Sequence, residues 1–196
     1  MRSNELTLPV HIIDGARFMR TVLLVPGISN SGPGHWQTLW ETRHRGVLRV
    51  RQRDWERPAR AEWVGAFDAA IGRLDEAPIV VAHSLGCLLA AHWAARSDRP
   101  LHGLLLVALP DPHGPSFPAE ATGFAPVPDT LRGRRAIVVS SADDPYSNPE
   151  FVARCVAQWN AGHVALGAVG HINASSGLGD WAEGWSMVQA WRDEAR

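Results

Sequence analysis

Residues 80–87 read Val-Val-Ala-His-Ser-Leu-Gly-Cys, and they are the most informative part of the chain. An apolar, β-branched run precedes Ser84, and an apolar stretch of helical length follows it. Ala82 and Gly86, two residues to either side, are small, as a sharp strand-to-helix turn that exposes a nucleophile requires. The pattern predicts a nucleophilic Ser84. The alternative is that the Ser84 hydroxyl only caps the helix that begins at Leu85.

Strand-length apolar runs alternate with helical patterns along the rest of the chain. Continuous apolar strands are typical of a parallel sheet that is covered on both faces. The alternation predicts an α/β fold with a doubly wound, mostly parallel sheet flanked by helices. The predicted strands are Thr21–Val25, Gly46–Val50, Ile79–Ala82, Leu104–Ala108, Ala136–Ser140 and His163–Ala168. The predicted helices are Gly34–Thr42, Arg60–Asp75, Leu85–Arg96, Asn148–Asn160 and Asp180–Arg192.

The length of the chain, 196 residues, suits one domain with a substantial core. We expect residues 21–196 to form that domain and residues 1–20 to be an N-terminal extension. Pro110–Pro128 contains six prolines and little periodicity, which predicts a long surface loop.

The composition excludes several kinds of chemistry. The net charge is −1, with 19 cationic and 20 anionic side chains, so we expect neither a nucleic-acid nor a membrane partner. All the cationic residues are arginine, which excludes lysine-bound pyridoxal phosphate and a P-loop lysine. Cys87 and Cys155 are too few for a disulfide framework, and no histidine pair has metal-site spacing. We therefore expect no cofactor and no metal. Because neither a signal peptide nor a membrane span is evident, we expect a cytoplasmic protein.

A carboxylate and a histidine follow the serine, each after a predicted strand. Asp143 and Asp144 both come after the fifth predicted strand, and the sequence favours Asp144 because Pro145 stiffens its loop. His171 comes after the last predicted strand and follows Gly170, which permits a tight turn. The order Ser84, Asp144, His171 predicts a catalytic triad. We expect His83 to pack or hydrogen-bond near the turn, since its side chain should point away from that of Ser84.

Two backbone N–H groups are candidates for an oxyanion hole. Leu85 follows Ser84 at the helix N-terminus, where the helix dipole favours negative charge. Ile28 lies in the loop after the first predicted strand, and Gly27 would let the backbone turn that N–H inward.

Six segments form a more particular pattern than the serine turn alone. They are VPGISNSGPGHWQTLWE (25–41), RQRDWERPARAEWV (51–64), VVAHSLGCLLAAHWA (80–94), LLLVALPD (104–111), SSADDPYS (140–147) and GHINASSGLGDWAEG (170–184). Together they resemble the bacterial branch of the retinoblastoma-binding-protein-9-like, or YdeN-like, serine hydrolases, from about Thr21 to the C-terminus. The resemblance implies a compact α/β-hydrolase without the large lid of lipases, and it implies Ser84, Asp144 and His171 as the triad.

Two classes of function are compatible with these features. The first is a serine hydrolase that cleaves a small carboxylic ester or related acyl substrate, and the second is a non-catalytic binding module that keeps the same fold. A dehalogenase or epoxide hydrolase would need an aspartate in place of Ser84. His35, Trp36, Asp54 and Trp55 either line the pocket or dock helices onto the sheet, and the sequence favours docking. Nothing in the sequence predicts an oligomeric state.

Overall fold

Within the residues that the structure describes, 19–194, six strands form a single sheet. The structure is a computed structural model. The strands are β1 (Val22–Val25), β2 (Val47–Arg49), β3 (Ile79–His83), β4 (Gly103–Val107), β5 (Ala136–Ser140) and β6 (Gly162–Ala165). Their order across the sheet is β2-β1-β3-β4-β5-β6, and each neighbouring pair is parallel. The predicted α/β fold is confirmed, and the sheet in this part of the chain is wholly parallel.

Helices cover both faces of the sheet. They are α1 (Trp36–Arg43), α2 (Arg60–Ile71), α3 (Leu85–Ala94), α4 (Pro149–Trp159) and α5 (Ala182–Arg192). Side chains alternate along each strand: in β3, Val80 and Ala82 pack with α2, α3 and α4, whereas Ile79 and Val81 pack with α1 and α5. Because both faces of the strands are buried, the strand sequences are apolar without interruption.

Local capping explains where some helices begin and end. Asn148 caps α4 as the Asn-Pro pair predicts, since its Oδ1 accepts the Phe151 N–H at 2.8 Å. α1 begins two residues later than predicted because His35 is its N-cap, with Nδ1 accepting the Gln37 N–H at 3.1 Å. α2, α3 and β6 are each shorter than predicted, and α2 ends where Gly72, a poor helix former, follows it.

The connection between β4 and β5, residues 108–135, contains no helix. The prediction of a surface loop over Pro110–Pro128 is only partly right, because Phe124 is 1% exposed and packs into the core beside α2 and α3. Thr122 also pairs with Ala59 in an isolated parallel bridge, which ties the segment to the start of α2. The prolines and the lack of periodicity indicated a loop but carried no signal of this anchoring.

The predicted N-terminal extension, residues 1–20, lies outside the described residues except for Met19 and Arg20, which precede β1. That domain boundary therefore stays a prediction. None of the helices formed by residues 19–194 is long and apolar enough to cross a membrane.

Two helical glycines make a matched test of the contact between α3 and the end of β1. A Cβ atom on Gly86 would overlap the Val25 carbonyl oxygen and lie 2.8 Å from that of Pro26, whereas Gly65 in α2 has nothing within 4 Å. We expect Gly86→Ala to lower the free energy of unfolding by about 3 kcal/mol or more. Gly65→Ala should raise it by about 0.5–1 kcal/mol. Urea unfolding measures both, and equal effects of the two changes would contradict the contact.

Candidate active site

Ser84 sits on a strained turn between β3 and α3. Its backbone has φ 55° and ψ −129°, a conformation that non-glycine residues adopt only where the surroundings enforce it. The Ser84 N–H donates to the Val107 carbonyl oxygen at 2.9 Å, and the Cys87 N–H donates to the Ser84 carbonyl oxygen at 2.8 Å. Although Ser84 occupies the N-cap position of α3, its side chain makes no capping hydrogen bond. The hydroxyl is therefore free for another partner, and the capping alternative does not hold.

The structure brings Ser84, His171 and Asp144 together. The Ser84 Oγ lies 2.8 Å from His171 Nε2, and His171 Nδ1 lies 2.9 Å from both carboxylate oxygens of Asp144. The side chains of His171 and Asp144 are only 10% and 3% exposed. Since a carboxylate can only accept, Nδ1–H donates to Asp144, which leaves Nε2 to accept the Ser84 hydroxyl proton.

The two adjacent aspartates have different partners. Asp144 Oδ1 also accepts the Tyr146 N–H at 3.0 Å, which fixes the carboxylate toward His171. Asp143 Oδ1 accepts the Ser141 hydroxyl and the Gly170 N–H, each at 2.7 Å. Those hydrogen bonds, the Ser141 one first, lower the pKa of Asp143 below its ordinary value. Asp143 therefore ties the loop after β5 to the residue before His171 and does not contact the imidazole.

The two predicted oxyanion residues lie beside Ser84. Ile28 and Leu85 both line the cavity above it, and neither backbone N–H donates to another group among residues 19–194. The structure gives Gly27 a steric role. Its φ is not positive, but a Cβ there would lie 2.8 Å from the Ser84 Cβ. The missing side chain thus leaves room for the turn at Ser84.

Two buried histidines pack close to Ser84 and His171. His83 is 4% exposed, and its Nε2–H donates to the His171 carbonyl oxygen at 2.9 Å. It therefore packs and hydrogen-bonds near the turn, as the sequence predicted, and it also supports the His171 loop. The His35 ring lies edge-on to the His83 ring, with 4.6 Å between centroids, and also lines the cavity. Burial is the main cause that lowers the pKa of both, for His35 to about 4, and at His35 the Arg49 guanidinium lowers it further. Both rings are therefore neutral near pH 7.

Of the four residues whose role the sequence left open, Trp36 and Trp55 pack against other elements, as the sequence favoured, whereas Asp54 bonds within its own turn. Trp36 Nε1–H donates to the Ile172 carbonyl oxygen at 2.8 Å, inside the core. Asp54 accepts the Glu56 and Arg57 N–H groups within its own turn, and Trp55 packs edge-on against Trp63. Of the four residues left open, only His35 lines the cavity.

The cavity above Ser84 has a volume of about 400 Å³. Tyr146 and Phe117 line it, although sequence reasoning did not single them out, and the Tyr146 ring centroid lies 4.5 Å from that of His171. The position of Tyr146, two residues after Asp144, was a signal that could have pointed to it. Phe117 lies in the proline-rich segment Pro110–Pro128, whose sequence gave no such signal. The other lining residues are Gly27, Ile28, Asn30, Gly32, His35, His83, Ser84, Leu85, Pro110, Pro118, His171, Asn173, Ala174 and Ser175.

The arrangement has the parts that acyl transfer by a serine requires. A hydroxyl is hydrogen-bonded to an imidazole, and the imidazole is oriented by a buried carboxylate. Two N–H groups that have no acceptor in the described part of the chain lie beside the hydroxyl. Within residues 19–194, no three His, Cys, Asp or Glu side chains are grouped as a metal site would need.

Comparisons with known proteins agree with this fold. A family model described as serine hydrolase matches residues 22–190. A solved structure described as a YdeN-like hydrolase from Pectobacterium atrosepticum is 27% identical, with a TM-score of 0.79 over 89% of this chain and 91% of that one. The ydeN gene product of B. subtilis is 18% identical, with a TM-score of 0.74 over 89% of this chain and 100% of that one. An α/β-hydrolase enzyme from a Medee basin deep-sea metagenome is 12% identical, with a TM-score of 0.67 over 98% and 93%. No curated protein matches the sequence.

The low pKa of His35 makes stability depend on pH. Its pKa is about 4 in the folded protein against 6.5 for an ordinary histidine, so the unfolded chain binds the proton first as pH falls. The contribution of neutral His35 to the free energy of unfolding is complete above pH 6.5 and is lost as the pH falls toward 4. At pH 5 the loss is about 2 kcal/mol. The His35→Asn variant keeps a capping oxygen but has no imidazole to protonate. Between pH 7.5 and pH 5, its free energy of unfolding, measured with urea, should fall by about 2 kcal/mol less than that of the wild type. The same pH dependence in both proteins would contradict this.

Proposed function

We propose that this chain, which belongs to the serine hydrolase family as its motifs predicted, cleaves a small carboxylic ester or related acyl substrate through an acyl-enzyme intermediate. The observation that carries the proposal is the unbroken contact from Ser84 through His171 to Asp144 at the floor of a cavity. Ester cleavage is favoured because the cavity offers a nucleophile, a base and anion-stabilising N–H groups, and acyl transfer uses all three.

In the first half of the proposed reaction, His171 Nε2 takes the Ser84 proton while Oγ attacks the acyl carbon. The carbonyl oxygen becomes an oxyanion, and the Ile28 and Leu85 N–H groups would donate to it. When the intermediate collapses, the bond to the leaving alcohol breaks, and the alcohol oxygen takes the proton from His171. The product that remains is an ester between the acyl group and Ser84.

In the second half, a water molecule replaces the alcohol. His171 takes one proton from the water, the hydroxide attacks the acyl carbon, and the bond to Ser84 Oγ breaks with return of the proton to the serine. Asp144 holds the imidazole with Nδ1–H toward itself and stabilises the positive charge that the ring carries between the two transfers.

The other class of function, a non-catalytic binding module on the same fold, explains less of the site. Binding a partner would not need a hydroxyl held 2.8 Å from an imidazole, nor two N–H groups beside it that lack an acceptor within residues 19–194. A strained backbone at Ser84 costs stability, and catalysis gives a reason for it.

An active-site-directed fluorophosphonate separates the two classes. We expect the wild-type protein to gain one phosphonyl group, located on Ser84 by peptide mass spectrometry, because the hydroxyl is activated by His171. Ser84→Ala should remain unlabelled and fold normally, and both it and His171→Ala should lower kcat for a p-nitrophenyl ester by on the order of 10⁴ or more. A wild-type protein that is not labelled, or a Ser84→Ala variant with full esterase activity, would reject the proposal.

The adjacent aspartates form a matched pair for the acid. Asp144→Asn should lower kcat by roughly 10⁴, because an amide presents a donor to Nδ1 and favours the wrong tautomer. Asp143→Asn keeps an oxygen that can accept the Gly170 N–H, so we expect kcat within about tenfold of wild type. Steady-state kinetics on one ester measures both, and the reverse ranking would move the acid to Asp143.

A further inference from the structure

The wall of the Ser84 cavity carries no arginine, aspartate or glutamate side chain among the residues that line it. The ionisable groups in the wall are His35, His83, His171 and Tyr146. His35 and His83 are buried and neutral near pH 7, and His171 is engaged with Ser84 and Asp144. The chain also contains no lysine that could reach in from elsewhere. The wall around Ser84 therefore presents no unpaired charged side chain.

Three charged side chains that contact residues in or next to the cavity wall already have partners. The Arg49 side chain is 4% exposed, and its guanidinium donates to Asn30 Oδ1 at 2.8 Å and pairs with Glu41 at 2.9 Å. Glu56 accepts the Ser29 hydroxyl at 3.0 Å, outside the lining. Asp144 faces His171 with its side chain 3% exposed. A charged ligand would therefore find no unpaired counter-charge among these three side chains.

What the wall offers instead is apolar surface with a few neutral hydrogen-bonding groups. Phe117 and Pro118 come from the connection after β4, and Leu85 from the start of α3. Asn30 and Asn173 contribute amides. Apolar walls with a small number of neutral polar groups are the usual lining of sites for uncharged small molecules.

We propose that the cavity takes uncharged acyl groups and excludes acyl groups that carry a carboxylate, a phosphate or an ammonium close to the reacting carbon. The inference rests on the proposed hydrolysis at Ser84 and specifies its substrate class. A charge that enters the cavity loses part of its hydration, and that loss is not compensated unless a counter-charge or several hydrogen bonds replace the water. An aliphatic or aromatic acyl chain of similar size loses no such hydration and gains contact with the apolar wall.

The test compares p-nitrophenyl esters whose acyl groups match in shape and differ in charge. The glutarate monoester is an anion, and the 5-methylhexanoate ester is its neutral counterpart. The 4-(trimethylammonio)butanoate ester is a cation, and the 5,5-dimethylhexanoate ester is its neutral counterpart. With the uncatalysed rate subtracted, we expect kcat/KM for each charged ester to be at least about tenfold below that of its neutral counterpart.

A pair of serine substitutions separates the charge of the wall from the general preference for apolar chains. Ser175 is exposed and lines the cavity, whereas Ser186 is exposed on α5 and does not. Ser175→Arg should raise the ratio of kcat/KM for the anionic ester to that for its neutral counterpart by about fivefold or more. Ser186→Arg adds the same charge elsewhere and should leave that ratio at the wild-type value.

The proposal is wrong if either charged ester is cleaved within about twofold of its neutral counterpart, or if the two arginine variants give the same ratio. Failure of the underlying function looks different. In that case none of the four esters is cleaved above background and fluorophosphonate does not label Ser84. Cleavage of all four with equal efficiency would leave the hydrolase standing and remove only the substrate class.

Discussion

The contact between the end of β1 and the start of α3 is the constraint on which the site depends. Gly86 leaves no side chain between α3 and the Val25 and Pro26 carbonyl groups, and Gly27 leaves none between its loop and Ser84. With both side chains absent, the chain can turn through Ser84 at a φ of 55° and still enter α3 directly. Ile28 and Leu85, whose N–H groups have no acceptor among residues 19–194, both line the cavity next to the serine.

The other two members of the site are held by hydrogen bonds between loops. The loop after β5 carries Asp144 and, through Asp143, binds the Gly170 N–H next to His171. His83 also donates to the His171 carbonyl oxygen. The imidazole is therefore held through the backbone of His171 as well as by Asp144. Because β3, β5 and β6 are parallel strands of one sheet, these loops all emerge at the same edge.

The sequence contained enough to predict the sheet and the order of the three site residues. Buried parallel strands are continuously apolar, and a serine between a strand and an apolar helix with Ala82 and Gly86 around it is a particular local pattern. The sequence did not predict the features that depend on tertiary contacts. The burial of Phe124, the place of Phe117 and His35 in the cavity wall, and the steric need for Gly27 all arise from segments that are distant in sequence. The choice of Asp144 over Asp143 rested on Pro145, whereas the structure separates the two aspartates by their hydrogen-bond partners.

We propose that the turn at Ser84 places its Oγ between His171 Nε2 and the Ile28 and Leu85 N–H groups. A crystal structure of the protein after reaction with a fluorophosphonate would show this arrangement, because the tetrahedral phosphonate mimics the tetrahedral intermediate of acyl transfer. We expect the phosphorus to be bonded to Ser84 Oγ, with one phosphonyl oxygen about 2.7–3.1 Å from the Ile28 and Leu85 nitrogens. A phosphonyl oxygen that points away from both nitrogens, or an adduct on a different residue, would contradict it.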